Sequence, residues 1–313
     1  MLARRAADHG GRRAVSAARP PEGARRRSTE RGASSEFADW SAVEVAGART
    51  RRWPAQTNGQ TYRISVWVPP GTPPPGGFPA VYVLDANALF GTFVELVRRS
   101  SRRPDATGIV PAAVVGIAHD GDELFAEAQR RRDFTAGPSA DGSVVSGVGG
   151  ASSFQSFIAD ELMPALRAEL PLDAARQTLF GHSLAGHFVL QALAARPQVF
   201  RTWAAVSPSV WWDEAGLRAA LAAALPCQPG LRVFMAVGAW EDEVPPWQRQ
   251  HPGYEQLVAR RAQRRMVGSA QALAEQMTGW LGAERLAFRV FPDEDHASVV
   301  MVAAQRVLRL CST

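Results

Sequence analysis

The sequence predicts an α/β protein with a mostly parallel central sheet, antiparallel strands at its N-terminal end and helices on both faces. Short apolar runs, typical of strands buried on both faces, alternate along the chain with amphipathic segments of helical length. Such alternation is typical of parallel sheets that helices cover on both sides. The 313 residues suffice for one large domain, and we expect that domain to span residues 36–313.

The strands are predicted to begin with an antiparallel segment. Large apolar side chains recur at every second position over residues 62–68, and Asn58-Gly59 just before them favours a tight hairpin turn. A loop rich in proline and glycine follows over residues 69–79. Six buried strands are then predicted, at residues 80–84, 112–117, 178–180, 203–206, 233–237 and 286–291.

Amphipathic segments fill most of the intervals between these strands. A stretch rich in glycine and serine, residues 137–153, is instead predicted to be a loop. The helices are predicted at residues 154–170, 184–195, 214–224, 254–281 and 297–310.

The positive charge of the chain is concentrated at its N-terminus. Residues 1–34 hold nine arginines and three acidic residues, a net charge of +6, whereas the whole chain carries +5. The remainder is close to neutral, which argues against binding to nucleic acid. Because residues 1–35 have few large apolar side chains, we expect a disordered, arginine-rich tail there. A targeting arm and unselected sequence from an upstream start codon stay open as its origin.

Cysteine content and hydropathy limit the class of protein further. Two distant cysteines, Cys227 and Cys311, do not make a disulfide framework or a metal site. No apolar run approaches the ~20 residues that cross a bilayer, and the N-terminus lacks the apolar core of a signal peptide. We therefore expect a soluble cytoplasmic protein that does not bind membranes. Its oligomeric state stays open.

The strongest chemical signal is the sequence Leu-Phe-Gly-His-Ser-Leu-Ala-Gly at residues 179–186. A strand end, a turn of small residues and a helix start are the context of a nucleophile elbow, as in the α/β-hydrolase fold. Ser183 is the predicted nucleophile, and the N–H of Leu184 is a predicted oxyanion donor. Ala185 stands where this motif usually has glycine. The alternative is a serine in an ordinary turn.

A serine nucleophile needs a base and an orienting acid, which follow it on this fold in the order acid, histidine. The fifth buried strand leads into three carboxylates, of which we favour Glu241 over Asp242 and Glu243. The last strand leads into the loop that contains His296, the predicted base.

Other side chains near these strand ends are candidates for the pocket. A second oxyanion donor is expected from the backbone N–H of Asn87, with Ala86 as its neighbour. The alternative is a plain turn in which Asn87 caps a helix, and the two roles do not exclude each other. His119 could line the pocket, whereas His182 and His187 are expected to pack or hydrogen-bond locally. No metal ion is expected, because the acidic residues of the last loop lack further ligands at a useful spacing.

Several short motifs carry a family resemblance from about residue 55 to the C-terminus. They are Phe78-Pro79, residues 82–87, Arg130 with Asp133-Phe134-Thr135, Gly149-Gly150-Ala151 with Phe154, the serine motif, residues 207–212 (Ser-Pro-Ser-Val-Trp-Trp) and Asp295-His296. In this order and spacing they resemble the siderophore-esterase branch of the α/β-hydrolases, the ferric enterobactin and bacillibactin esterases and their relatives.

The resemblance implies hydrolysis of an ester, such as the lactone backbone of a catecholate siderophore, by a serine nucleophile without a cofactor. Trp211 and Trp212 resemble the family's aromatic pair and are candidates for a substrate-binding wall, with core packing as the alternative. Arg130, with Arg131 beside it, is a candidate to meet an anionic substrate, with ordinary surface exposure as the alternative.

Two departures from the family pattern touch the expected pocket. Ala86 replaces the usual glycine, and Ile117-Ala118-His119 replaces the common Gly-Tyr. The natural ester therefore stays open. A binding module without turnover, motivated by Ala86 and Ala185, and an acyltransferase that uses the same residues are the competing hypotheses.

Overall fold

A computed structural model describes residues 40–226, 228 and 230–313. Residues from Val45 to Thr313 form one compact unit. The other unit, Met1–Glu44, is described only from Trp40, and its described residues form no helix or strand. The predicted tail over residues 1–35 and Cys227 lie outside the described residues.

The core of the protein is one eight-stranded sheet in the order β1-β2-β4-β3-β5-β6-β7-β8. Its strands are β1 (Arg49–Pro54), β2 (Thr61–Trp67), β3 (Phe78–Leu84), β4 (Ala113–His119), β5 (Leu172–His182), β6 (Thr202–Val206), β7 (Arg232–Gly238) and β8 (Leu286–Phe291). Strands β1 and β2 are antiparallel to their neighbours, and β3 to β8 are parallel to one another. The predicted fold class is confirmed.

The N-terminal hairpin forms with a longer loop than the sequence suggested. Arg49 pairs with Val66 and Pro54 with Thr61, so six residues connect the strands instead of two. Only Gly59 of the Asn58-Gly59 pair has a positive φ, 68°. The Asn58 side chain instead accepts a hydrogen bond from the N–H of Gln60, which closes the loop without a two-residue turn.

Helices cover both faces of the sheet and bury two apolar layers against it. They are α1 (Ala86–Ser100), α2 (Pro104–Thr107), α3 (Glu127–Phe134), α4 (Ala151–Ser156), α5 (Met163–Glu169), α6 (Leu184–Ala195), α7 (Glu214–Ala224), α8 (Tyr254–Arg264), α9 (Met266–Leu281) and α10 (Val299–Cys311). A π-helical segment, Phe157–Leu162, joins α4 to α5. Among the described residues, no helix is long and apolar enough to cross a bilayer.

The single helix predicted over residues 254–281 is wrong in one respect, because the structure divides it. Arg265, with φ of 45°, adopts a left-handed conformation between α8 and α9. Helix α9 buries Leu273 and Met277 against the sheet, whereas α8 contains no buried residue. The break lets α8 leave the surface of the sheet that α9 covers.

The strand order places the predicted catalytic segments side by side. His182 at the end of β5 pairs with Val206 at the end of β6, which in turn pairs with Ala236 of β7. Gly238 at the end of β7 pairs with Phe291 at the end of β8. Because the carboxyl ends of parallel strands share one edge, the loops after these four strands converge there.

Candidate active site

Ser183 occupies a sharp turn between β5 and α6. Its φ of 61° and ψ of −120° are unusual for a residue with a side chain. A Cβ at Gly181 would lie 2.3 Å from the carbonyl oxygen of Ala185, so glycine is required there. Ala185 itself is fully buried, and the methyl group that replaces a hydrogen at this position fits without opening the turn. The strand, turn and helix of a nucleophile elbow are therefore present.

A hydrogen-bonded chain joins the three predicted catalytic residues. Nε2 of His296 lies 2.9 Å from Oγ of Ser183. On the other side of the ring, Nδ1 of His296 lies 2.7 Å from Oε2 of Glu241. The Glu241 side chain is 1% exposed and that of His296 46%, so a buried carboxylate is hydrogen-bonded to an imidazole that solvent can reach.

Glu241 is the carboxylate that faces the histidine. It lies in a 3₁₀ turn, Ala239–Glu241, directly after β7. Its other oxygen, Oε1, accepts hydrogen bonds from the Gly238 N–H at 2.8 Å and from Ser207 Oγ at 2.5 Å. Asp242 instead accepts the N–H groups of Val267 and Gly268 in the first turn of α9, and Glu243 is exposed.

The expected oxyanion donors lie in the first turns of two helices. Leu184 is the first residue of α6 and lines the cavity over Ser183, and its N–H has no intrahelical acceptor. Ala86 and Asn87 begin α1, but among the described residues neither lines that cavity. The Asn87 side chain donates to the carbonyl oxygens of His119, Gly121 and Glu123. The role of the Asn87 N–H stays a prediction.

A cavity of ≈ 430 Å³ opens over Ser183 and His296. The cavity lining is basic, because it contains two carboxylates, Glu127 and Glu241, and five arginine side chains. The arginines in its wall are Arg130, Arg131, Arg260, Arg261 and Arg264. In the part of the chain that the structure describes, no group of three His, Cys, Asp or Glu side chains is arranged to hold a metal ion.

Helix α8 supplies the arginines that sequence reasoning missed. Arg264 stacks over Trp211, with Cζ 4.3 Å from the ring centroid. Burial, together with the nearby charge of Arg260, lowers the pKa of Arg261 and of Arg264, yet both stay charged near neutral pH. Their spacing in the sequence could have identified them, because it places Arg260, Arg261 and Arg264 within about one turn of a helix.

Trp211 and Trp212 both line the cavity but differ in their packing. Trp212 is buried, and its indole N–H donates to the carbonyl oxygen of Gly137 at 3.1 Å. The indole nitrogen of Trp211 has no hydrogen-bond partner among the described residues. Trp211 packs against the apolar core and lies beneath Arg264 of α8.

Arg130 lines the cavity, but much of its guanidinium group is already engaged. Nε and Nη2 donate to the two carboxylate oxygens of Asp85 at 3.0 and 3.1 Å, and both side chains are buried. Burial raises the pKa of Asp85, and the charge of Arg130 opposes that rise. Asp85 caps α1 in a left-handed conformation, with φ of 53°. This ion pair therefore ties the cavity wall to the loop before Ala86.

His119 belongs to a separate buried cluster. Its Nε2 lies 3.0 Å from Oδ2 of Asp133, which also accepts hydrogen bonds from Tyr62 and Arg132. Burial alone would raise the pKa of Asp133, but the hydrogen bonds from Arg132 and His119 lower it below its usual range. Among the described residues that line the cavity, His119 is absent, so the structure does not bring it to Ser183.

Known proteins resemble this chain in sequence and in fold. A family model described as "Putative esterase" matches residues 55–276. Ferri-bacillibactin esterase BesA of Bacillus subtilis is 42% identical over 181 residues, 55% of this chain and 62% of that protein. The chain thus spans less than two thirds of that relative. Siderophore triacetylfusarinine C esterase of Aspergillus fumigatus is 32% identical over 245 residues, 75% of this chain and 82% of that protein.

Solved structures extend the comparison to most of the chain. The BES protein from Bacillus cereus superposes with a TM-score of 0.74 at 29% identity, covering 87% of this chain and 97% of its own. Siderophore hydrolase EstB from Aspergillus nidulans gives a TM-score of 0.74 at 26% identity over the same shares. The chain therefore belongs to the "Putative esterase" family, within the siderophore-esterase branch of the α/β-hydrolases.

Proposed function

We propose that this esterase is a serine carboxylic-ester hydrolase that works through an acyl-enzyme. Ser183 is the nucleophile, His296 the general base and Glu241 the acid that orients it. The observation that carries this assignment is the unbroken chain of hydrogen bonds, 2.9 Å from serine to histidine and 2.7 Å from histidine to glutamate.

The reaction follows from this geometry. Nε2 of His296 takes the hydroxyl proton as Ser183 Oγ attacks the ester carbonyl, and the N–H of Leu184 in the cavity wall holds the oxyanion. A second N–H is expected from Asn87, although Asn87 does not line the cavity in this structure. The ester C–O bond breaks, and the alcohol leaves with the proton from His296. Water then attacks the acyl-enzyme with His296 as base again, which releases the acid and restores Ser183.

We further propose that the ester belongs to a siderophore-type molecule that carries negative charge. The relatives named above act on siderophores according to their names, and the cavity over Ser183 is rich in arginine. Arg264 over Trp211 and Arg261 on the same helix offer guanidinium groups to an anionic, aromatic substrate.

Active-site labelling tests the nucleophile. A fluorophosphonate probe should label the wild-type protein, and the Ser183→Ala variant should be neither labelled nor active on a short p-nitrophenyl ester. Removal of a triad serine lowers the rate by several orders of magnitude while leaving the fold intact. Ser269→Ala is the matched control, since Ser269 is a buried serine on α9. A labelled Ser183→Ala protein would refute the assignment.

A panel of esters tests the substrate class and the two competing functions. Ferric catecholate lactones should be hydrolysed with a higher kcat/KM than their iron-free forms and than neutral esters of similar size. Binding without measurable hydrolysis of any ester would indicate a binding module. Products esterified to an added alcohol, in place of the free acid, would indicate acyl transfer by the same residues.

A further inference from the structure

Ser207 lies between the segment that carries the proposed nucleophile, Ser183, and the segment that carries the proposed acid, Glu241. It follows the last residue of β6, the strand between those that lead into Ser183 and Glu241. Its side chain is fully buried, and its Oγ donates to Oε1 of Glu241 at 2.5 Å. It does not line the cavity, and among the described residues the ring of His296 is hydrogen-bonded to Glu241 and Ser183 and not to Ser207.

The backbone at Ser207 is held in a conformation that serine rarely adopts. Its φ is 45°, in the left-handed region, and the following Pro208 restricts it further. The N–H of Ser207 donates to the carbonyl oxygen of Ala236 at 2.6 Å, which anchors the turn to β7. A strained residue that the surrounding sheet holds in place often serves the neighbouring site.

The next residues of this turn also reach the nucleophile. The N–H of Ser209 donates to the carbonyl oxygen of Ser183 at 3.1 Å, and the N–H of Ser183 donates to that of Val206 at 3.0 Å. The turn therefore fixes the backbone of Ser183 on one side and the carboxylate of Glu241 on the other.

We propose that Ser207 is a positioning residue that holds the Glu241 carboxylate through its hydroxyl group and thereby sets the basicity of His296. This role depends on the serine hydrolase activity proposed above. With the hydroxyl present, Oε1 is satisfied by Ser207 and Gly238, and Oε2 is directed at Nδ1 of His296.

Loss of the hydroxyl should act on His296 in a defined direction. A buried carboxylate with fewer donors has less of its charge compensated, so it favours the protonated imidazole more strongly. The acid limb of the pH profile of kcat/KM should therefore move to higher pH. The freed carboxylate can also rotate, which should lower kcat and leave KM nearly unchanged.

Other titratable groups lie near Glu241 and His296 and must stay constant in the test. His182 has its ring centroid 4.6 Å from that of His296. Asp295 precedes His296 on its loop, and the positive charge of Arg261 on α8 interacts electrostatically with both Glu241 and Asp295. Substitutions confined to Ser207 change none of these groups.

The experiment compares Ser207→Ala with Ser207→Gly. Both remove the hydroxyl, but glycine adopts a positive φ without strain, so a shared effect belongs to the hydroxyl. We expect both variants to lose about tenfold in kcat and to shift the acid limb of the pH profile upward. Ser269→Ala also removes a serine hydroxyl near a glutamate, Glu214 at 3.4 Å, and should change neither quantity.

The experiment distinguishes failure of the role proposed for Ser207 from failure of the proposed serine hydrolase activity. If Ser183→Ala keeps wild-type activity, the proposed function fails; if Ser183 is essential but Ser207→Gly matches the wild type, only the role of Ser207 fails. A loss of kcat with an unshifted pH profile would also overturn it, since that is the effect of a merely structural residue. Thermal unfolding of both variants checks that they are folded.

Discussion

Nε2 of His182 lies 2.7 Å from the backbone carbonyl oxygen of His296. The residue before the proposed nucleophile, Ser183, thus holds the loop that carries the proposed base, His296. Burial, together with the charge of the neighbouring His296, lowers the pKa of His182 well below its ordinary value. His182 therefore stays neutral when His296 is protonated, and its Nε2–H can donate to that carbonyl throughout the reaction.

Replacement of His182 should impair catalysis more than binding. His182→Phe keeps an aromatic ring but removes the donor, so the loop of His296 loses one anchor, and we expect kcat to fall about tenfold with little change in KM. His182→Gln retains an N–H donor and should lie between Phe and wild type. Steady-state kinetics on a p-nitrophenyl ester measure both. A Phe variant with wild-type kcat would contradict the role of this hydrogen bond.

The elements that converge on the site could be predicted because parallel strands in one sheet all end at the same edge. Apolar runs located β5, β7 and β8, and the carboxyl ends of such strands share one edge. Ser183, Glu241 and His296 each follow the carboxyl end of one of these strands. Their positions in the sequence were therefore sufficient to predict that they lie at the same edge of the sheet. Local sequence also identified the elbow, where small residues are required by close backbone contacts.

Features that depend on tertiary contacts could not be predicted in the same way. Arg130 looked available for substrate, but its partner Asp85 lies 45 positions away on another element. The left-handed Arg265 that divides α8 from α9 has no glycine or proline to mark it. Ser207 was part of a recognised motif, yet its contact with Glu241 follows only from the order of β5, β6 and β7.

The arginines of α8 should matter for charged esters and not for neutral ones. Arg264→Gln removes a guanidinium group beside Trp211, so we expect about tenfold lower kcat/KM for an anionic catecholate ester. A neutral p-nitrophenyl ester should be turned over as by the wild type. Arg306→Gln, an exposed arginine on α10, serves as control. Equal losses on both esters would show that Arg264 does not select for charge.

The buried pair of Asp85 and Arg130 should dominate the stability of the loop before α1. Arg130→Met leaves the Asp85 carboxylate buried and unpaired, which should cost about 3–5 kcal/mol in the free energy of unfolding. Asparagine tolerates a positive φ, so Asp85→Asn added to Arg130→Met should restore much of the lost free energy of unfolding. Urea denaturation of the four proteins gives the coupling energy.

An exposed ion pair provides the comparison for this cycle. Arg196 and Asp160 are 2.8 Å apart, with side chains 34% and 53% exposed. Arg196→Met should therefore change the free energy of unfolding by no more than about 1 kcal/mol. Additive effects of the Asp85 and Arg130 substitutions would mean that the buried pair is not coupled.

His187 should make the folded state sensitive to mild acid. It is fully buried on α6, and neither ring nitrogen has a hydrogen-bond partner among the described residues. Burial lowers its pKa from 6.5 to about 4. Between these two values the unfolded chain binds a proton that the folded protein does not, so stability is fully present above the higher value and falls as pH decreases.

Substitution of His187 should reduce this pH dependence. Between about pH 7.5 and about pH 5 the wild type should lose about 2 kcal/mol through His187 alone, from the linkage between protonation and unfolding. His187→Leu removes the titrating group, so its loss over the same interval should be smaller by that amount. Urea denaturation at the two pH values measures the difference, with His251→Gln, in an exposed loop, as control. Parallel losses in wild type and His187→Leu would assign the acid sensitivity to other groups, the buried His182 first among them, because its lowered pKa acts with the same sign.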